Sequence, residues 1–156
     1  MNVVYSDQYL EVQTPSIFLA GPTPRSHDVP SWRPGALAIL EELQYTGQVL
    51  VPERKDWVNF DYLDQVEWEY KGLSECSVIA FWIPRDMKTM PALTTNCEFG
   101  LWVTGGRSIY GRPDNAPNNR YLDWLYRKAT GNKREPFNDL KQLLSAAIEA
   151  TKGGLT

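Results

Sequence analysis

Four short apolar runs, each closed by proline or glycine and separated by stretches with helical spacing, constrain this chain more than any other feature. They are Ser16 to Ala20 before Gly21-Pro22, Gln48 to Val51 before Pro52, Ser77 to Ile83 before Pro84, and Ser108 to Tyr110 before Gly111. Continuous apolar runs of this length read as strands buried on both faces. The intervening segments read as helices. Leu37, Leu40 and Leu43 share one face of a helix over Pro34 to Leu43. Leu63, Val66, Tyr70 and Leu73 form a stripe that predicts an amphipathic helix over Phe60 to Cys76. A third helix is expected from Thr95 to Thr104, stopped by Gly105-Gly106, with two more over Asn119 to Lys128 and Pro136 to Thr151. The alternation of strand and helix predicts an α/β fold, a mostly parallel sheet with helices on both faces. Residues 15–156 form its single domain, and residues 1–14 are either an N-terminal arm or an extra edge strand.

In such a sheet, ligands bind beyond the carboxyl ends of the strands. The loops of interest are therefore 21–32, 52–57, 84–95 and 111–119. Composition narrows what they can do. Sixteen Lys and Arg against nineteen Asp and Glu leave a net charge of −3, which argues against nucleic acid as a partner. A single histidine, His27, and two cysteines, Cys76 and Cys97, in no CxxC spacing supply neither a zinc site nor a disulfide framework, so no metal is expected. No apolar run approaches the roughly 18 residues of a membrane span, and the first residues lack the pattern of a signal peptide. The expectation is a soluble, cytoplasmic protein with no membrane partner.

Several residues in those loops carry usable chemistry. Thr95 followed by Glu98 matches a capping box at a helix start, where the helix N-terminus favours an ionised carboxylate and thus a usable nucleophile. The turn Gly21-Pro22-Thr23-Pro24-Arg25 combines close backbone approach at Gly21 with donors on Thr23 and Arg25. Neither the dinucleotide nor the P-loop fingerprint occurs. Trp82, Arg85 and Asp86 stand at the end of the strongest strand, where an indole can stack on a base and a carboxyl can reach a reacting atom. Glu67 and Glu69 flank the predicted apolar stripe, a position that usually means solvent. Cys97 is expected on the core face with Leu93 and Leu101, and His27 on the surface. Arg25, Arg33, Arg85 and Arg112 all lie in or beside these loops, which permits a phosphate-bearing ligand.

Ile17 to Pro22, Glu67-Trp68-Glu69, Ile79 to Pro84, Ala92 to Gly100 and Gly111-Arg112-Pro113, taken in order, resemble the nucleoside 2-deoxyribosyltransferase-like family. The resemblance implies a flavodoxin-like, Rossmann-like sheet and a homodimer or higher homo-oligomer whose neighbouring subunit helps close the site. It implies no cofactor. The activity implied is cleavage of the N-glycosidic bond of a (deoxy)nucleoside or nucleotide, most simply transfer of 2-deoxyribose between bases as in salvage. A hydrolytic N-glycosidase and a non-catalytic nucleoside or nucleotide sensor are the alternatives. By the same resemblance, Glu98 attacks C1′ to form a covalent glycosyl-enzyme. Asp86 or Glu69 supplies the proton to the departing base, and Gly21, Pro22 and Thr23 contact substrate. Asn96 holds a sugar hydroxyl, with Arg25, Trp82 and Arg112 completing the binding set. Two departures stand out: Phe18 occupies the position of a tyrosine that holds the nucleophile, and Met87 to Cys97 contains no acid.

Overall fold

The computed structural model describes residues 1–26, 28–55 and 61–153. Its elements follow in the order β1 (Asn2–Tyr5), β2 (Ser16–Ala20), α1 (Arg33–Glu42), β3 (Gln48–Val51), α2 (Tyr62–Glu75), β4 (Val78–Trp82), α3 (Leu93–Trp102), β5 (Ser108–Gly111), α4 (Arg120–Ala129) and α5 (Leu140–Gly153). One 3-10 turn, Val103–Gly105, follows α3 and ends at Gly106 in the left-handed region. The five strands form a single sheet in the order β1-β3-β2-β4-β5, and every pairing is parallel. This is a flavodoxin-like α/β arrangement. Residues 2–5 add an edge strand beside β3.

Alternation along the strands divides the core in two. Phe18, Leu50, Ile79, Phe81 and Tyr110 face α2, α3 and α4. Ile17, Leu19, Val49, Ala80 and Ile109 face α1 and α5. Every residue of β2, β3, β4 and β5 is buried, as expected for strands covered on both faces. Local signals fix the helix starts differently. Pro34 stands in the first turn of α1, where its missing N–H costs nothing. The Asp61 carboxylate accepts from the Leu63 N–H at 2.7 Å and caps α2.

The chain leaves β2 for β3 on one side, then crosses back to β4 on the other. The carboxyl ends of β2 and β4 therefore form the switch point at which such sheets open a crevice. Two glycines set its shape. Gly21 has φ +154°, and a Cβ there would lie 2.1 Å from the Trp82 carbonyl oxygen and 2.9 Å from the Trp32 ring. Gly21→Ala is expected to lower stability by about 2–4 kcal/mol, since backbone must move to admit the methyl group. In a thermal melt this corresponds to a fall of about 5–10 °C, and an unchanged midpoint would contradict the close packing. Gly72 lets α2 settle on β2, because a Cβ would stand 2.7 Å from the Phe18 ring. That close approach carries the preceding turn of α2, with Glu69, over the end of the sheet.

Three expectations need correction. Of the α2 stripe only Leu73 faces the core, for Leu63, Val66 and Tyr70 are exposed, and the other buried positions are Gln65, Trp68 and Gly72. Helix α3 starts at Leu93, two residues before Thr95, from an Ala92 in the left-handed conformation and with no side-chain cap. The Thr95–Glu98 capping box is therefore absent: Thr95 is buried within the helix, and Glu98 sits in its second turn. Helix α5 begins at Leu140 rather than Pro136, because Phe137 first pairs with β5, accepting from the Arg112 N–H and donating to the Tyr110 carbonyl. His27 lies outside the described residues.

Candidate active site

A cavity of about 350 Å³ occupies the switch point, within the size range of small-molecule sites. Its walls are the turn after β2 (Gly21, Pro22, Thr23, Arg25), Pro52 after β3, one face of α2 (Gln65, Val66, Glu69) and the start of α3 (Ala92 to Thr95, Glu98). Glu69 from α2 and Glu98 from α3 meet here and hydrogen-bond to each other. Burial pushes the Glu98 carboxyl up to about 7, helped by the neighbouring Glu69 charge and opposed by Arg33. Glu69 is also raised by burial, while bonds from Gln65 and Glu98 and the Arg33 charge pull it back. The bond between them favours a protonated Glu98 against an ionised Glu69, so near neutral pH the pair holds one shared proton. This corrects the expectation of a Glu98 ionised by the helix end. Burial against a second carboxylate outweighs the macrodipole, which fades within the first turn.

The surroundings of the pair are built from residues with no obvious sequence signal. The Gln65 amide donates to Glu69 Oε1 at 2.6 Å and to the Pro52 carbonyl at 3.3 Å, which fixes its orientation. Its own oxygen is buried and has no partner among the described residues. Arg33, at the first turn of α1, is 1% exposed and forms an ion pair with Glu53 at 2.6 Å. It also donates to the Leu19 and Gly21 carbonyls and to Thr23 Oγ1, at 3.0, 2.6 and 3.1 Å. The sequence places Arg33 beside the site loops but gives no sign of its burial. Only the tertiary packing of α1 against the β2 turn turns it inward.

Of the residues singled out from sequence, Glu98, Glu69, Gly21, Pro22, Thr23 and Arg25 share the cavity. The others lie elsewhere. Asp86 is fully engaged in a turn, its Oδ1 accepting from the Lys88 and Thr89 N–H groups and the Thr89 hydroxyl, which lowers its pKa. Trp82 is 6% exposed and packs with α1 and α5 in the core. Asn96 accepts from Arg85 at 2.6 Å, and Arg112 is paired with Asp123 at 2.7 Å. None of these four lines the cavity. Cys97, Leu93 and Leu101 are exposed, not packed in the core. Phe18 is buried under α2, its ring 6.0 Å from that of Trp68. Among the described residues, no group of His, Cys, Asp and Glu is arranged to hold a metal, and no helix is long and apolar enough to cross a membrane.

A flavodoxin-like fold with a carboxyl pair at its switch point defines an α/β protein equipped for acid, base or nucleophilic work on a small ligand. The chain belongs to the nucleoside 2-deoxyribosyltransferase-like family, whose sequence model matches residues 14–116. That span covers β2 through β5 and every wall of the cavity. No curated protein matches the chain.

Proposed function

We propose that the protein breaks the N-glycosidic bond of a (deoxy)nucleoside or nucleotide through Glu98 and transfers the 2-deoxyribosyl group to a second base. The observation that carries this reading is the hydrogen-bonded Glu69–Glu98 pair at the switch point, in a chain of this family. The reaction needs one ionised and one protonated carboxyl, and the pair holds one proton. Substrate entering between them replaces their mutual bond, and the proton held on Glu98 in the empty site passes to Glu69, leaving Glu98 ionised. The Glu98 carboxylate then forms a bond to C1′ as the C1′–N bond breaks, and Glu69 gives its proton to the departing ring nitrogen. A second base reverses these steps, returning its proton to Glu69. This is the two-step logic of retaining glycosidases, which use a carboxylate nucleophile and a carboxyl acid. Gly21, Pro22 and Thr23 form the opposite wall against the sugar, and Arg25 is the cation available to a 5′-phosphate. Asp86, bound into its turn, has no part in proton transfer.

Incubation with a panel of deoxynucleosides, with and without a second base, tests the reading. Transfer predicts a new nucleoside only when the second base is present. Free base released equally in its absence would make the protein a hydrolase, and no turnover of any member would count against glycosidic chemistry altogether.

The exposed apolar residues Leu63, Val66 and Tyr70 on α2 and Leu93 and Leu101 on α3 support a homo-oligomer. Tyr70 and Trp102 bring the two helices together, with ring centroids 5.7 Å apart. Val66 and Leu93 also line the cavity, so a second copy seated here covers its mouth. Sedimentation is expected to show a dimer or larger species, dissociated by Leu63→Glu or Leu101→Glu. A wild-type monomer at tens of micromolar would refute it.

A further inference from the structure

The turn that walls the cavity is held almost entirely by the start of α1. Arg33 binds the Leu19 and Gly21 carbonyls and Thr23 Oγ1, and Trp32 Nε1 donates to the Pro22 carbonyl at 3.1 Å. The guanidinium is kept in place by Glu53, whose Oε1 also accepts from the Ser31 hydroxyl at 2.6 Å, and by the Trp32 ring, whose centroid lies 4.9 Å from its Cζ. It lines the same cavity as Glu69 and Glu98 and interacts electrostatically with both. We propose that Arg33 is the positioning residue of this site: it fixes the Gly21–Thr23 wall and is the buried cation facing the Glu69–Glu98 pair, with Glu53 as its counter-charge.

Two consequences follow from the geometry. A planar fork that serves separate acceptors at the end of β2 and in the turn after it cannot be replaced by the single point charge of a lysine. A buried cation beside two carboxylates also sets how much negative charge the pair carries, because the low-dielectric surroundings leave that charge unscreened. The groups facing Glu98 are Glu69 from α2, Arg33 from α1, Arg25 from the β2 turn and Tyr62 at the start of α2. Among these Arg33 is the cation that is buried. The inference rests on the reading of Glu69 and Glu98 as the working carboxyls, but its deciding readout, the Glu98 midpoint, is taken without substrate.

The full-length protein, labelled with carboxyl-13C glutamate, is titrated by NMR, with Glu98 assigned by the signal lost in Glu98→Gln. Arg33→Met is expected to move the Glu98 midpoint about one pH unit above wild type. Glu53→Gln, which leaves Arg33 without its counter-charge, is expected to move it below wild type. Arg33→Lys keeps the charge and loses the fork: the midpoint stays near wild type, while kcat/KM falls at least about tenfold through a displaced wall. An unmoved midpoint in folded Arg33→Met overturns the inference. If Arg33→Met does not fold, Glu53→Gln decides: a lower midpoint supports the inference, and an unchanged or higher one overturns it. Inactivity of the wild type toward every nucleoside would remove the glycosidic reading and leave these midpoints intact. Unmoved midpoints in an active enzyme would do the reverse.

Discussion

Glu98→Gln is expected to reduce base exchange at least about a thousandfold, the scale of removing a nucleophile from a covalent mechanism. The same substitution is expected to make the protein more stable at pH 8. The raised Glu98 carboxyl binds its proton more tightly in the folded state than in the unfolded chain. Across the window from the ordinary value of 4.5 to about 7, the folded state therefore holds a proton that the unfolded state has released. Stability falls as pH rises through that window and is level above it. The loss is about 2–3 kcal/mol, discounted for partial exposure. Glutamine carries no such penalty. Denaturant unfolding of the two proteins should agree near pH 4.5 and separate by about 2 kcal/mol at pH 8, in favour of the variant. A variant equally active, or less stable at pH 8, would contradict the account. Loss of activity with gain of stability is the pattern of a site that keeps an unfavourable charge for its chemistry.

The second large effect concerns Glu69. Glu69→Gln removes the proton donor and is expected to lower kcat with ordinary deoxynucleosides by about 10²–10⁴. The effect should depend on the leaving base. A 7-methylpurine deoxynucleoside carries its positive charge already and needs no proton to depart, so the variant should cleave it at close to the wild-type rate. An equal loss with both substrates would show that Glu69 acts on something other than the leaving group. Because the productive state has one proton on the pair, wild-type activity should also decline as pH rises through about 7, when the shared proton is lost. Glu69→Gln should lose that dependence with the methylated substrate.

The sheet was legible because its strands are buried on both faces and so appear as unbroken apolar runs. Ser16 to Ala20 and Gln48 to Val51 coincide with β2 and β3 to the residue. Glu98 was legible from its place beyond the strongest strand, and the β2 turn from Gly21-Pro22-Thr23. The face of α2 was not. Hydropathy assigns Leu63, Val66 and Tyr70 to the core, yet the positions packed on the sheet include Gln65, which is polar, and Gly72, which has no side chain. The Gln65 amide binds Glu69 one turn along α2 and the Pro52 carbonyl after β3, and the second contact depends on the tertiary packing of α2. The apolar residues displaced from the core lie instead on an open surface beside the cavity, and a sequence pattern does not separate a core from an interface. Arg33 was legible as lying beside the site loops, but not its buried ion pair with Glu53, because its partners Leu19, Gly21, Thr23 and Glu53 come from the ends of two other strands. Trp82, Asn96 and Arg112 stand close to the site in sequence order, but strand alternation and pairing with Arg85 and Asp123 take them out of its wall.

The most direct test of the central claim is intact-mass and peptide mass spectrometry of the protein incubated with a 2-deoxy-2-fluoro nucleoside, whose electron-poor sugar slows breakdown of a glycosyl-enzyme. The expected result is a gain of one fluorodeoxyribosyl group, located on Glu98 and absent in Glu98→Gln. Turnover of natural deoxynucleosides with no adduct, or an adduct on any other residue, would contradict it.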